Sequence, residues 1–324
     1  MRHRTTSVAE ALAAVITRQR QVLAANWTRA AGGDGRAIHR ARVASRRLRE
    51  ALALAAAAGA GDEAERARRA ARRVTRACGP VREMDVALAE LDRIAGRRGW
   101  PGGATAAIRR WLERTRTDRR REMRRQIEAV GRGALRTRTD RAADAVAAQV
   151  VTADVPRAIA GYLARRADRV IEHAALCGTL YSVDRLHALR IAAKKLRYTL
   201  ETIQGLAGAS TAPAILLLKG AQQRLGRLHD VQVLMGAIQS AAMDETEPSD
   251  AWSAILDDLE RECRERHAEI VQQLQPLERG VQAMKREARL ALGTSGRRPS
   301  IKALPGARRG RPAAGSRRAA RRSA

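Results

Sequence analysis

The chain consists of stretches of helix-favouring residues separated by short glycine and proline junctions. Between the junctions Ala, Leu, Arg, Glu and Gln predominate, β-branched runs are few and Phe is absent. This pattern of apolar and charged positions is typical of helices and leaves no segment suited to a strand, so we predict an all-α fold. The predicted helices cover residues 5–28, 35–58, 62–77, 82–97, about 103–132, 156–175, 184–206, 212–225, 229–242, 249–275 and 277–292.

Local signals mark where several of these helices begin and end. Asp34 and Ser182 stand at N-cap positions, where a side-chain oxygen satisfies free backbone N–H groups. Glycine and proline residues at 59–61, 78–80 and 205–208 mark the junctions that follow. We therefore expect the chain to turn at each of these points.

Two of the predicted helices carry the same pattern of charge. Residues 38–49 match residues 186–197 at an offset of 148, with His, Arg, two adjacent basic residues, Leu and Arg in register. At about 100° per residue, four basic side chains of each segment fall within a stripe of roughly 80°. We call these stripes the first rail (His39, Arg42, Arg46 and Arg49) and the second rail (His187, Arg190, Lys194 and Arg197). The positive charges within each rail repel one another unless an anion or internal carboxylates neutralise them.

A second repeated element supports an internal duplication. Residues 78–86 line up with residues 225–233 at an offset of 147, one residue from the first offset. We predict one repeat over about 5–137, a linker over about 138–155 and a second repeat over about 156–292. Each repeat has the size of a unit that buries its own core.

In both copies of this element, a glycine-containing corner is followed by an apolar residue, a potentially cationic residue and an acid. The cationic positions are Arg82 and His229, and the acids are Glu83 and Asp230. One interpretation places each acid at a helix start, where it complements the helix dipole. In the other, Asp85 and Asp230 orient the rail arginines through ion pairs.

The overall charge indicates a polyanionic partner. The chain has 63 Lys and Arg residues against 34 Asp and Glu, a net charge of +29 and a pI near 11.6. This balance favours nucleic acid, an anionic membrane surface or inorganic phosphate polymer. Arginine supplies 58 of the 63 cations, and its planar guanidinium suits bidentate phosphate contacts. A GC-rich genome is an alternative origin of the arginine bias, but it does not explain the register of the rails.

Residues 293–324 differ in composition and are predicted to form a disordered basic tail. Gly, Ser, Pro and Ala surround ten cations in this segment, and no acidic residue is present. The other 19 net positive charges belong to the part before it, so the basic character does not come from the tail alone.

The sequence carries no signal for secretion, membrane insertion or metal binding. The three cysteines are an odd number without a CxxC pair, which disfavours both a disulfide framework and a zinc site. No segment approaches the roughly 20 apolar residues of a membrane span, and the N-terminus has no uninterrupted apolar stretch. We predict a soluble cytoplasmic protein that binds no membrane, metal or cofactor.

The two rails and the two corners, in this order and spacing, resemble the CHAD family, the conserved histidine α-helical domain. The resemblance covers about residues 8–292, nearly all of the chain outside the tail. It implies two helical, four-helix-bundle-like repeats related by a pseudo-twofold axis around a basic cavity or groove. It also implies binding of inorganic polyphosphate, often on polyphosphate granules.

Matching the family's pattern position by position gives the residues implied to face polyphosphate. They are His39, Arg42, Arg46, Arg47, Arg49, His187, Arg190, Lys194, Lys195 and Arg197, followed by Arg82 and His229. The chain departs from the pattern at the first corner, where Arg82 replaces a histidine. A neutral histidine packed against a helix neighbour remains the alternative for His39 and His187.

Nucleic-acid binding is the main alternative function, because the basic tail can neutralise any duplex without sequence specificity. Against it, the three tyrosines and four tryptophans are spread through predicted helices and supply no stacking platform. No RNA-binding or helix-turn-helix signature is evident either. A phosphate polymer has no bases to read and gains nothing from aromatic residues.

We predict that the chain is not an enzyme. The triphosphate-hydrolysing barrels that accompany some relatives need an ExExK strand, and the nearest string, residues 260–264, ends in Arg within a predicted helix. The sequence also has no Walker-type glycine loop, no Glu-x-x-His pair and no HExxH motif.

Overall fold

The computed structural model describes residues 7–151, 154–207, 211–244 and 250–293, and these residues confirm the all-α fold. The α-helices are α1 (Val8–Ala31), α2 (Gly35–Ala55), α3 (Gly61–Arg98), α4 (Gly102–Val130), α5 (Arg132–Ala147), α6 (Asp154–Leu176), α7 (Val183–Ala207), α8 (Ala212–Asp244) and α9 (Asp250–Gly293). A π-helical turn (Ala56–Ala60) follows α2, and a 3-10 turn (Ala148–Val151) follows α5. No described helix combines the length with the apolar character that crossing a membrane requires.

The predicted start signals of the two rail helices are confirmed. Asp34 is the N-cap of α2, and its side chain accepts a hydrogen bond of 2.8 Å from the backbone N–H of Ala37. Ser182 directly precedes α7, and its hydroxyl accepts a long hydrogen bond of 3.5 Å from the backbone N–H of Arg185. These caps fix where each rail begins along its helix.

The corner predicted at residues 78–80 is wrong, because α3 continues through Pro80. A proline inside a helix costs about 3 kcal/mol, since it removes one backbone hydrogen bond and its ring crowds the preceding turn. Val74, Cys78 and Val81 are buried on both sides of it, and burying a valine-sized side chain stabilises by about 1.5–3 kcal/mol. The apolar stripe therefore outweighs the local cost, and the helix stays intact.

The second predicted corner, at residues 225–229, is also wrong. Helix α8 runs through it without a break, and Leu225, Leu228 and Val231 remain on its buried face. Helix α9 likewise passes through Pro276, where the sequence predicted two helices. In each case a continuous apolar stripe spans the junction.

Because neither corner exists, Glu83 and Asp230 lie in the interiors of α3 and α8. The interpretation that each acid complements the dipole at a helix start is therefore wrong. Each acid directly follows a cationic position, Arg82 or His229, on a long helix.

The junction predicted at Gly59 and Gly61 is confirmed. Gly59 has φ 104° and Gly61 has φ 42°, a backbone region that favours glycine. The side chain of Gln149 lies 3.1 Å from where a Cβ atom of residue 59 would stand, a tight contact that the end of the Gln149 side chain would have to relieve. A further break comes at Gly131, where α4 ends and α5 begins. Helix α5 extends to Ala147, so part of the predicted linker, 138–155, is helical.

Two sequence predictions fall at the edge of what the structure covers. Gly208, in the junction predicted at 205–208, lies outside the described residues. Gly293, the first residue of the predicted tail, is the last residue of α9, and residues 294–324 lie outside the described part.

The helices pack as two neighbouring groups that meet along the rail helices. In the first group α1 packs on α2, α2 on α3 and α3 on α4, and α5 lies against α1 and α3. In the second group α6 packs on α7 and α9, and α8 packs on the same two helices. The groups contact each other through α2 with α7, α3 with α8 and α1 with α7. This packing brings the two rails to one interface.

Two polar contacts occupy corresponding positions in the two groups. Ser45 Oγ and Thr75 Oγ1 are 2.9 Å apart and join α2 to α3. Gln222 Nε2 donates a hydrogen bond of 2.9 Å to the carbonyl of Ala193 and joins α8 to α7. Ala193 follows Ser45 by 148 residues and Gln222 follows Thr75 by 147, the offsets of the two repeated motifs. The agreement supports the predicted duplication, whose pseudo-twofold axis remains a prediction.

Candidate anion-binding site

A cavity of about 570 Å³ lies between α2, α3, α7 and α8, and we call it the central cavity. Its basic lining comes from both rails and from the two long helices beside them. These basic residues are His39, Arg42, Arg46, Arg47, Arg82, Arg190, Lys194, Arg197, Arg227 and His229. Glu83 and Asp230 are the carboxylates in this lining. Positive charge therefore exceeds negative charge around the cavity by a wide margin.

A smaller cavity of about 300 Å³, the side cavity, adjoins the central one between α2, α3 and α7. Both cavities are lined by Arg46, Lys194 and Tyr198. The lining cations of the side cavity are Arg46, Arg49, Arg72, Arg76, Lys194 and Lys195, and its carboxylate is Glu50. The rails thus continue from one cavity into the next.

An open outer cavity of about 810 Å³ lies at the N-terminal end of α2. It shares His39 and Arg82 with the central cavity. Its other charged lining residues are Arg29, Arg36, Arg40, Asp34 and Asp85, so cations remain in excess. The three cavities therefore form one basic track. From His39 to Arg49 the track follows α2 for roughly 15 Å, at 1.5 Å per residue.

The structure brings together nearly all of the residues that the sequence singled out. Eleven of the twelve line the central or the side cavity. His187 lines neither, but its ring packs against that of His229 with centroids 5.3 Å apart. Asp230 lines the central cavity, whereas the ion pairs of Asp85, 3.9 Å long, are made with Arg116 and Arg120 of α4.

One carboxylate joins the two rail helices directly. Glu201 of α7 lies 3.1 Å from a guanidinium nitrogen of Arg47 and 3.3 Å from one of Arg197. These two arginines come from different halves of the chain, so their charges are partly neutralised at a shared point. Glu201 was not among the residues predicted from the sequence.

The remaining rail cations of the central cavity are not neutralised in this way. Within the described residues, Arg42, Arg46, Arg190 and Lys194 form no ion pair. The buried Nε–H groups of Arg42 and Arg190 also have no hydrogen-bond acceptor there. Unpaired buried donors cost about 1–3 kcal/mol each, more when charged, and an anion in the cavity would remove that cost.

Burial and mutual repulsion lower the pKa values of these groups. The pKa of Lys194 falls to about 6, mainly through burial and then through Arg190 and Arg46. Burial and Arg46 lower the pKa of Arg42 to about 10, and burial and Arg190 lower that of His229 to about 3. The lining of the cavity is therefore electrostatically unfavourable for its own positive charges.

The sequence reasoning missed Arg72 and Arg76, which extend the side cavity from α3. The sequence did indicate Arg72 as a further basic position, because Lys219 occupies the equivalent position in the second repeat, 147 residues later. The predicted break at residues 78–80 also assigned Arg72 and Arg82 to different helices, although both lie on α3.

The lowered pKa of Lys194 predicts how the stability of the unliganded protein depends on pH. The folded protein holds fewer protons on Lys194 than the unfolded chain between about pH 6 and the ordinary pKa of 10.5. The free energy of unfolding should therefore rise with pH in this range. We expect the melting temperature to increase from about pH 6 to about pH 8 at constant ionic strength in a buffer without phosphate.

Replacing Lys194 by Met removes the titrating group and should flatten this increase. The measurement is thermal unfolding of both proteins across the same pH series. Equal slopes for the wild type and Lys194→Met would contradict the prediction.

Comparison with known proteins agrees with the all-α fold. The profile of the CHAD domain matches residues 14–239, so the chain belongs to the CHAD domain family. The crystal structure of the CHAD domain from the plant Ricinus communis is similar with a TM-score of 0.64 and 21% identity, over 86% of this chain and 93% of that one. PptA from Streptomyces chartreusis is similar with a TM-score of 0.56 and 18% identity, over 85% of this chain and 99% of that one. No curated protein matches the sequence.

Proposed function

We propose that this chain binds inorganic polyphosphate in the central cavity. The observation that carries the proposal is the meeting of the two rails: α2 and α7 pack together and direct cations from both halves of the chain toward one space. Four of these cations form no ion pair within the described residues, and a bound polyanion would neutralise them. The CHAD family resemblance supports the same ligand.

The chemistry of the lining suits a bare phosphate polymer. Polyphosphate carries about one negative charge per phosphate, and a guanidinium binds two phosphate oxygens at once. Each charge-assisted hydrogen bond contributes about 1.5–3 kcal/mol net, so several contacts along the cavity give tight binding. By analogy with counterion release from nucleic acids, the affinity should fall steeply with salt.

The aromatic content of the cavity favours phosphate over nucleic acid. Tyr198 is the aromatic residue other than histidine in the lining of the central cavity, and it is buried. The guanidinium carbon of Arg197 lies 4.9 Å from the centre of its ring. A tyrosine covered in this way offers no face on which a base could stack.

The central test is a titration with linear polyphosphate of defined length at several salt concentrations. We expect Arg42→Gln/Arg46→Gln and Arg190→Gln/Lys194→Gln each to weaken binding by about tenfold or more and to reduce the salt slope. The matched control is Arg110→Gln/Arg114→Gln, which removes two exposed arginines one helical turn apart on α4. Unchanged affinity in both rail variants would rule the site out.

Competition separates polyphosphate from the nucleic-acid alternative. A protein truncated after residue 293 should keep its polyphosphate affinity, because the proposed site lies before that point. Duplex DNA at equal charge concentration should displace little polyphosphate from it. Equal displacement by DNA would favour non-specific nucleic-acid binding instead.

We propose that binding occurs without turnover and serves association with polyphosphate granules in the cytoplasm. The first part is checked by incubating the protein with polyphosphate and Mg²⁺ and measuring phosphate release. Release that depends on His39 or His187 would overturn it.

The association with granules is checked by imaging a fluorescent fusion, which should follow granules only when the rails are intact.

A further inference from the structure

The side cavity has a denser positive lining than the central cavity. Six cations surround about 300 Å³, whereas eight Arg and Lys residues surround about 570 Å³ in the central cavity. Both lysines of the second rail helix, Lys194 and Lys195, line the side cavity. A lysine ammonium is a compact point charge that can meet a phosphate oxygen from several directions. The negative charge of a bound phosphate favours the protonated form of Lys194, whose pKa is lowered without ligand.

None of the six cations is neutralised inside the described part of the protein. Arg46, Arg49, Arg72, Arg76, Lys194 and Lys195 form no ion pair with the carboxylates described there. Glu50 lines the same cavity, but its carboxylate accepts hydrogen bonds from Arg166 at 2.8 Å and from the Tyr162 hydroxyl at 3.2 Å. Its charge is therefore already engaged by α6.

The side cavity lies at the C-terminal end of the first rail, next to the central cavity. A phosphate chain in the central cavity reaches it past Arg46 and Lys194, which line both spaces. The first rail ends at Arg49, within the lining of this cavity.

The chemistry of a phosphate chain distinguishes its ends from its interior. An internal phosphate carries about one negative charge, whereas a terminal phosphate ionises a second time with a pKa near 6, like a phosphate monoester. The space with the densest unneutralised positive charge should select the more highly charged group. Resting on the proposed function, we infer that the side cavity binds the terminal phosphate of a polyphosphate chain whose interior occupies the central cavity.

The test compares one linear polyphosphate of defined length with the same chain capped at both ends as phosphoramidates of a neutral amine. Capping removes the second terminal charge and leaves the interior unchanged. We expect the wild type to bind the uncapped chain about tenfold more tightly than the capped one. Linear triphosphate, which offers ends without a long interior, should bind more weakly than the uncapped chain by at least about tenfold.

Two variants of α3 connect this preference to the side cavity. Arg72→Gln/Arg76→Gln removes two lining cations and should bind capped and uncapped chains with equal affinity. Arg69→Gln/Arg73→Gln removes two exposed arginines with the same spacing, outside the three cavities, and should keep the wild-type preference. Binding of the capped chain shows that each variant is folded.

The outcomes separate this inference from the proposed function. Equal affinity of the wild type for both chains, or a preference retained by Arg72→Gln/Arg76→Gln, would overturn the end site and leave polyphosphate binding intact. Triphosphate binding as tightly as the uncapped chain would assign the side cavity to free oligophosphates instead. A wild type that bound no polyphosphate at all would defeat both proposals.

Discussion

Reversing the charge of Arg42 together with that of Arg190 is expected to weaken polyphosphate binding by about 10²–10⁴-fold. Each arginine comes from a different rail, and the positive charge of Arg190 contributes to the lowered pKa of Arg42. Loss of two charge-assisted contacts at about 1.5–3 kcal/mol each corresponds to this range before the added repulsion by two glutamates. The measurement is a polyphosphate titration of Arg42→Glu/Arg190→Glu at fixed salt.

The same variant should be at least as thermally stable as the wild type without ligand. Each new carboxylate would stand among cations, and the repulsion that lowers the pKa of Lys194 would become attraction. The control, Arg110→Glu/Arg114→Glu, changes the net charge equally on the exposed face of α4. If the control weakened binding as much as the rail variant, overall charge rather than the cavity would explain the affinity.

Replacing Glu262 by Gln is expected to lower the free energy of unfolding by about 3–5 kcal/mol. Glu262 of α9 is 4% exposed and lies 2.7 Å from a guanidinium nitrogen of Arg97 and 3.0 Å from one of Arg98, at the end of α3. It also pairs with Arg266, whose side chain is 14% exposed. A neutral amide would leave the largely buried guanidinium of Arg266 without a counter-charge and would remove the ion pairs of Glu262 with the end of α3.

The measurement is urea unfolding, because urea does not screen charges as a guanidinium salt does. The matched control is Glu260→Gln, which removes the same kind of pair, with Arg264 one turn along the same helix. Both partners of that pair are more than half exposed, and its loss should change stability by less than about 1 kcal/mol. Similar losses for the two variants would contradict the assigned role of Glu262.

The sequence predicted the rails because their information is local. The spacing of His39, Arg42, Arg46 and Arg49 determines a shared helix face whatever surrounds the helix. The N-caps at Asp34 and Ser182 and the junction at Gly59 and Gly61 follow from equally local backbone chemistry, and all are present in the structure. The all-α fold was likewise evident from residue preferences along the chain.

The corners were predicted wrongly because a local penalty was weighed without the packing that opposes it. Pro80 alone disfavours a helix, but Cys78 and Val81 are fully buried against neighbouring helices. Their burial depends on residues far away in the sequence. The error had a consequence for the site, since it separated Arg72 from Arg82 on what is one helix.

The repeat of one charge pattern on two helices was determined by the sequence alone, as was the need of such a pattern for neutralisation by an anion or by internal carboxylates. Only the tertiary structure decided that α2 and α7 contact each other, so that two surface stripes become the walls of one cavity. It also decided which cations stay unpaired and which, like Arg47 and Arg197, share Glu201. The physical reason is that periodicity fixes the direction of a side chain from its own helix, whereas its neighbours depend on how distant helices pack.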